Sequence, residues 1–226
     1  MAHFEKTSNG FQCNKSSQFT CHNGICIDLN ERCNGIADCI DGTDEENCDI
    51  LSFDDKSYKS YYPPGIDTEN SNETLPIHVT FLIYAIEQLM EIEMRFKTKL
   101  TLVLEWKDNR LTYYNLKDDV NSNLAGMTHR SSLWIPPLIF NNTEDNIKVV
   151  NSEQALMFIR KQGKSTPSGI AEVDENFVYK GGENYLIFQN LYVIEQGCTF
   201  LLANYPFDTQ KCRIEVSFNQ IRENGI

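Results

Sequence analysis

From Ile77 onward the chain alternates between apolar and polar positions. Ile77, Val79, Phe81 and Ile83 interleave with His78, Thr80, Leu82 and Tyr84, the period-two pattern of a strand with one face buried. Met94, Phe96, Leu100, Leu102, Leu104 and Trp106 then share the even face of a second strand. Asp108 and Asn109 supply the turn into a third run at 111–114, because short polar side chains bond their own backbone. Further runs of strand character cover 132–140, 147–159, 185–194 and 211–218. Many strands with turn signals between them predict an all-β, immunoglobulin-like antiparallel β-sandwich over 76–226. The Gly-, Ser- and Pro-bearing stretch 161–182 breaks this rhythm and is expected to be an exposed loop. The polar stretch 49–75, with Pro63-Pro64-Gly65 and the run from Asp67 to Thr74, is expected to be a linker.

The first fifty residues follow another logic. They hold too few large apolar side chains to bury a core and need staples or a metal. Six cysteines supply the staples, spaced Cys13-x7-Cys21-x4-Cys26-x6-Cys33-x5-Cys39-x8-Cys48. Even numbers at close spacing read as a disulfide framework, which persists only in oxidising compartments. A zinc site fits poorly, since the shortest spacing is x4 and no second knuckle or His pair follows. The formal net charge of −12 argues against nucleic acid as a partner. Acidity concentrated between Asp38 and Glu46 suggests a cation instead. Calcium takes six to eight oxygens, and Asp38, Asp44 and Glu45 could offer carboxylates from one stapled loop.

Phe19-Thr20-Cys21, Gly24-Ile25-Cys26-Ile27 and Asp41-Gly42-Thr43-Asp44-Glu45-Glu46-Asn47-Cys48 carry a resemblance to the LDL-receptor class A repeat over 13–48. The resemblance implies the pairs Cys13–Cys26, Cys21–Cys39 and Cys33–Cys48. It also implies a Ca2+ cage of the Asn34, Asp38, Asp44 and Glu45 side chains with the backbone carbonyls of Glu31 and Ile36. Asn34 stands where the family usually has Asp, so the cage has one charge fewer. Glu31 stands where an aromatic residue usually helps to clamp a partner's lysine.

The remaining cysteines, Cys198 and Cys212, enclose thirteen residues centred on Tyr205-Pro206-Phe207-Asp208. A disulfide closing such a loop contributes roughly 3 kcal/mol by chain entropy, and an aromatic residue before proline favours a cis bond. Spacing alone also fits an ordinary stapled hairpin. Cys-x6-Tyr-Pro-Phe-Asp-x3-Cys, Trp106-Lys107-Asp108-Asn109-Arg110-Leu111 and Leu133-Trp134-Ile135-Pro136 together resemble the Cys-loop receptors, the pentameric neurotransmitter-gated ion channels. The resemblance covers the N-terminal two-thirds of their extracellular ligand-binding domain. It implies a homo- or hetero-pentamer at the cell membrane, a small-molecule ligand at subunit interfaces, and coupling through residues 205–208 to a pore domain of the full-length chain. Pro137 replaces the family's usual Asp. Thr101 stands where many members carry an aromatic residue facing the ligand from the complementary subunit, and Asn141 where nicotinic-type members place a tyrosine of the principal face.

Enzyme motifs fail on inspection. Gly163-Lys164-Ser165 lacks the earlier glycine of a phosphate loop, where Phe158 stands, and Asp119 to Asn123 is followed by Leu124 where an EF-hand needs glycine. His3, His22, His78 and His129 are scattered, so no catalytic residues are assigned. Asn14, Asn72 and Asn141 open glycosylation sequons. The N-terminus lacks the apolar run of a signal peptide, and no run reaches the ~18 apolar residues of a span. The chain therefore reads as a piece of something longer at both ends. A secreted pentameric binding protein without a pore, and an adhesion receptor served by the calcium module, are the alternative functions.

Overall fold

A computed structural model of the chain describes residues 13–14, 17–46, 48–65, 74–126, 131–143, 148–149, 155–167 and 177–218. Thirteen strands run through them. They are β1 (Gln18–Thr20), β2 (Cys26–Asp28), β3 (Leu51–Ser52), β4 (His78–Met90), β5 (Arg95–Trp106), β6 (Thr112–Tyr114), β7 (Leu138–Phe140), β8 (Lys148–Val149), β9 (Leu156–Arg160), β10 (Thr166–Pro167), β11 (Phe177–Lys180), β12 (Tyr185–Gly197) and β13 (Val216–Phe218). Helical structure among the described residues is confined to single 3-10 turns at Thr43–Glu45, Val120–Ser122 and Leu202–Asn204.

The largest sheet has the order β4-β5-β12, with β8 and β9 both pairing the far side of β12. Opposite it lie a sheet of order β10-β11-β6-β3 and the pair β7-β13. One core fills the space between them, drawing Leu100, Leu102, Leu104 and Trp106 from β5, Leu186 and Ile194 from β12, Tyr113 from β6 and Phe140 from β7. The even positions of β5 from Phe96 to Trp106 are all buried, as a pleated strand with one core face requires. This is an all-β sandwich.

The alternation read at the start of β4 holds only in part. Val79 and Phe81 pack on the core, but Leu82, Ile83, Tyr84, Ile86 and Leu89 are all exposed. Register shifts between Ile83 and Ala85 and between Ile86 and Gln88 break the period along this edge strand. Met94 also leaves the buried face, because it sits in the turn before β5 with φ 54° and is 40% exposed.

Two segments expected to be loose are built into the fold. The stretch after Cys48 is no free tether: Leu51 pairs with Tyr113, Ser52 pairs with Thr112, and Tyr58 enters the core. Within the expected loop 161–182, the described residues 177–180 form β11, which pairs β6 and buries Tyr179, so that part is a strand of the sandwich. The return from β11 to β12 is close-packed. A Cβ at Gly181 would stand 2.0 Å from the Asp108 carbonyl oxygen and 2.7 Å from that of Leu111. Gly181→Ala is therefore expected to cost about 1–3 kcal/mol, read as a lower midpoint in thermal unfolding.

Candidate functional site

Three places gather the residues singled out by the sequence: the acidic loop of the N-terminal module, the tryptophan motifs at the sandwich core, and the Cys198–Cys212 loop.

In the module, disulfides join Cys13 to Cys26, Cys21 to Cys39 and Cys33 to Cys48. Its small core is Phe19, Cys21, Ile27 and Cys39, so the staples carry much of the packing. The acidic loop folds into one network. The backbone N–H groups of Asn34 and Gly35 donate to Glu45 Oε1 at 2.8 and 3.1 Å. Asn34 Nδ2 donates to Asp38 Oδ2 at 2.9 Å, and Asp38 N donates to Asp44 Oδ2 at 2.7 Å. Asp44 is fully buried, and its Oδ1 finds no donor among the described residues. A buried carboxylate oxygen without a donor is costly unless a cation meets it. The donor set therefore fits Ca2+, a hard cation that takes oxygen ligands and would cross-link the loop when bound. Asn34, Asp38, Asp44 and Glu45 are the side chains that would hold it. The Glu31 side chain accepts a bond from Asp28 N at 2.9 Å, which leaves its backbone carbonyl, like that of the exposed Ile36, as the group the resemblance assigns. Cys21, Cys39 and Asp41 also lie together, but the two sulfurs are bonded to each other and offer no thiolate. The Thr43 hydroxyl holds the Asp41 carboxyl below the usual carboxylate range.

At the core, Trp106 and Trp134 meet edge to face with centroids 5.8 Å apart. Asp108 is buried, and Arg110 grips it with two bonds of 2.8 and 2.7 Å. Tyr58 donates to Asp108 Oδ2 at 3.0 Å and accepts from Trp134 N at 2.9 Å. Arg110 also donates to the carbonyls of Lys59 and Tyr62. Burial pushes the Tyr58 hydroxyl well above the usual phenol range, so it stays a donor. Two motifs far apart in sequence are thus joined by a residue that sequence reasoning missed. The aromatic cluster Tyr58, Tyr61 and Tyr62, unusual in a polar segment, was the available signal.

Cys198 and Cys212 are bonded, with Cα atoms 5.3 Å apart, and the Tyr205–Pro206 bond is cis. The base of the loop is fixed. Cys198 N donates to Met94 O at 2.8 Å, and Phe96, Cys198 and Phe200 form a small core with Cys212 and Ile214. Gln210 spans the neck, exchanging both amide bonds with the Leu201 backbone and donating to Asp208. The tip is free: Tyr205 is 67% exposed and Phe207 93%. Ile92, in the turn between β4 and β5 that Met94 closes, is also 93% exposed.

Thr101 does not face solvent. It is 4% exposed in the middle of β5, paired with Leu82 on one side and Leu191 on the other. Asn141 is exposed in the other layer, just after β7, and accepts a bond from the Ser217 hydroxyl at 2.8 Å. The chain does not bring these two positions together in one sheet. Of the sequon asparagines, Asn14 is exposed, and Asn72 lies outside the described residues.

Residues 52–226 match the family model for the neurotransmitter-gated ion-channel ligand binding domain, well over half of the chain. The chain belongs to that family. Residues 11–48 match the low-density lipoprotein receptor domain class A. The channel-family part is similar to the mouse gamma-aminobutyric acid receptor subunit theta, 27% identical over 143 residues, 63% of this chain and 19% of that subunit. It is 20% identical over 182 residues to the mouse rho-1 subunit, 78% of this chain and 31% of that subunit. The class A part is 56% identical over 32 residues to the Drosophila melanogaster vitellogenin receptor Yl, 14% of this chain and 2% of that receptor. The chain thus spans less than a third of either channel subunit. Within this ligand-binding domain, the Tyr58–Asp108–Arg110–Trp134 network is the brace that holds the motifs in place. The class A repeat is fastened to it at once, because Ile50 O accepts from Tyr114 N only two residues after Cys48.

Proposed function

We propose that the chain is the extracellular part of a ligand-gated ion-channel subunit. In this reading it assembles as a homo- or hetero-pentamer at the cell membrane and binds a small-molecule ligand between subunits. Binding is passed through the Cys198–Cys212 loop to a pore domain of the full-length chain. The observation that carries the reading is the end surface built around Met94. There the β4–β5 turn and the disulfide-closed loop are hydrogen-bonded together and present Ile92, Tyr205 and Phe207 to solvent. Large apolar side chains on a fixed base suit a surface that another domain covers. The exposed apolar length of β4 likewise suits a chain that works inside a larger assembly. The class A repeat binds Ca2+ and is held as a rigid appendage by β3. Asn14 and Asn141, both exposed, are the glycosylation positions that suit an extracellular surface. No step of the reading alters the ligand chemically, so the protein is not an enzyme.

Expression of the complete transcript in oocytes tests this directly, with γ-aminobutyric acid first among the transmitters because of the relatives' names. Transmitter-evoked current supports the channel. Saturable transmitter binding to a secreted product without current would support a pore-less binding protein instead.

A further inference from the structure

A cavity of about 450 Å³ lies where the class A repeat meets the sandwich. That volume is in the range of small-molecule sites, which form preferentially at domain junctions. Arg32 and Cys33 wall it on one side, and Lys117, Lys161, Phe177 and Tyr179 on the other. The charges are sorted by depth. Arg32 is 3% exposed and the Lys161 side chain 29%, whereas Asp118, which bonds Lys161 at 2.9 Å, is 95% exposed. Asp49 at the rim is exposed as well. A chain of net charge −12 thus gathers Arg32, Lys117 and Lys161 around one cavity, with the carboxylates of Asp49 and Asp118 on its exposed side.

The walls are held in place. The buried Asn123 clamps the Lys117 backbone from both sides, accepting from its N–H and donating to its carbonyl, each at 2.8 Å. Lys117 carries no salt bridge among the described residues. Lys161 stands over the Tyr179 ring at 5.5 Å. Burial pulls the Lys161 ammonium pKa down, but the Asp118 and Tyr179 contacts outweigh it and raise it overall, so the group stays charged. Among the described residues, non-glycine residues with positive φ are Cys33, Met94 and Asn115, and two of these three line the cavity. Backbone held in that sparsely populated region clusters at ligand sites.

We propose that the cavity binds a small aromatic carboxylate, its anionic end at Lys117 and Lys161 and its ring against Tyr179 and Phe177. Positioned ammonium groups select the charge, and aromatic walls take the apolar body. The site lies at the junction with the class A repeat and does not depend on whether the chain serves a pore.

Benzoate is the probe, titrated into the whole chain in saturating calcium and followed by saturation-transfer NMR and calorimetry, with benzamide as the uncharged isostere. Saturable benzoate binding at least about tenfold tighter than benzamide is expected, the scale of a charged hydrogen bond. Lys117→Gln with Lys161→Gln should weaken benzoate about tenfold, and folding should survive because Asp118, the partner that Lys161 leaves behind, is 95% exposed and stays hydrated. Leu124→Trp, which crowds the wall without touching a charge, should weaken it independently. Absence of saturable binding, equal affinity for benzamide, or unchanged binding in either variant overturns the proposal.

Discussion

Trp106→Ala lowers the stability of the sandwich by about 3–5 kcal/mol, the usual cost of deleting a buried tryptophan. Trp106 is fully buried, and its ring packs edge to face on Trp134 at the centre of the core. The strand that carries it is paired on both sides, by β4 and by β12, so the sheet cannot close over the void. Its indole N–H has no acceptor among the described residues. Trp106→Phe, which removes that buried donor and keeps most of the volume, should therefore cost clearly less than the alanine variant. Urea denaturation followed through the remaining Trp134 fluorescence gives both values. An alanine variant that unfolds like the parent would show that the face of β5 has been assigned wrongly.

Removal of calcium is expected to unfold the class A repeat while the sandwich stays folded. Asp44 is the reason. Its carboxylate is buried with one oxygen lacking a donor, and an uncompensated buried charge costs about 3–5 kcal/mol. A core of four buried residues cannot carry that cost. Amide NMR of the whole chain in excess chelator should lose dispersion for residues of the module and keep it for β5 and β12. Asp44→Asn keeps the shape of the site but drops its charge, and should weaken calcium at least tenfold. A module that remains dispersed in chelator contradicts the assignment.

Much of this was legible in the sequence because its signal was local. Five of the six even positions of β5 are apolar and all six are buried, as a strand with a core face requires. The six clustered cysteines announced a stapled module, and the acids between them the loop that folds into one hydrogen-bonded network. What was not legible depends on partners distant in the chain. Tyr58 sits among polar residues, and its burial follows from Asp108 and Trp134, fifty and seventy-six positions away. Phe177 and Tyr179 form only a four-residue strand, too short to stand out from the Gly- and Ser-bearing sequence before it. Gln210 carries no motif, yet its amide matches the Leu201 backbone across the neck of the loop. Thr101 lies on the odd face of β5 by period, yet it is buried there in the middle of the sheet, with Leu82 and Leu191 as its ladder partners. Period identifies a face and says nothing of what packs against it.

The proposed function rests on the loop between Cys198 and Cys212. Coupling between a binding site and a distant gate requires an element that both bias. A rigid base at Met94 with Phe207 projecting free is a geometry suited to that role. The bland alternative is a stapled turn with no partner. The decisive measurement is made on the receptor of the complete transcript carrying Phe207→Ala, with ligand affinity measured by equilibrium binding and gating by evoked current. Coupling predicts unchanged affinity at normal surface expression with a reduced maximal current. Normal currents from the correctly assembled variant would contradict it.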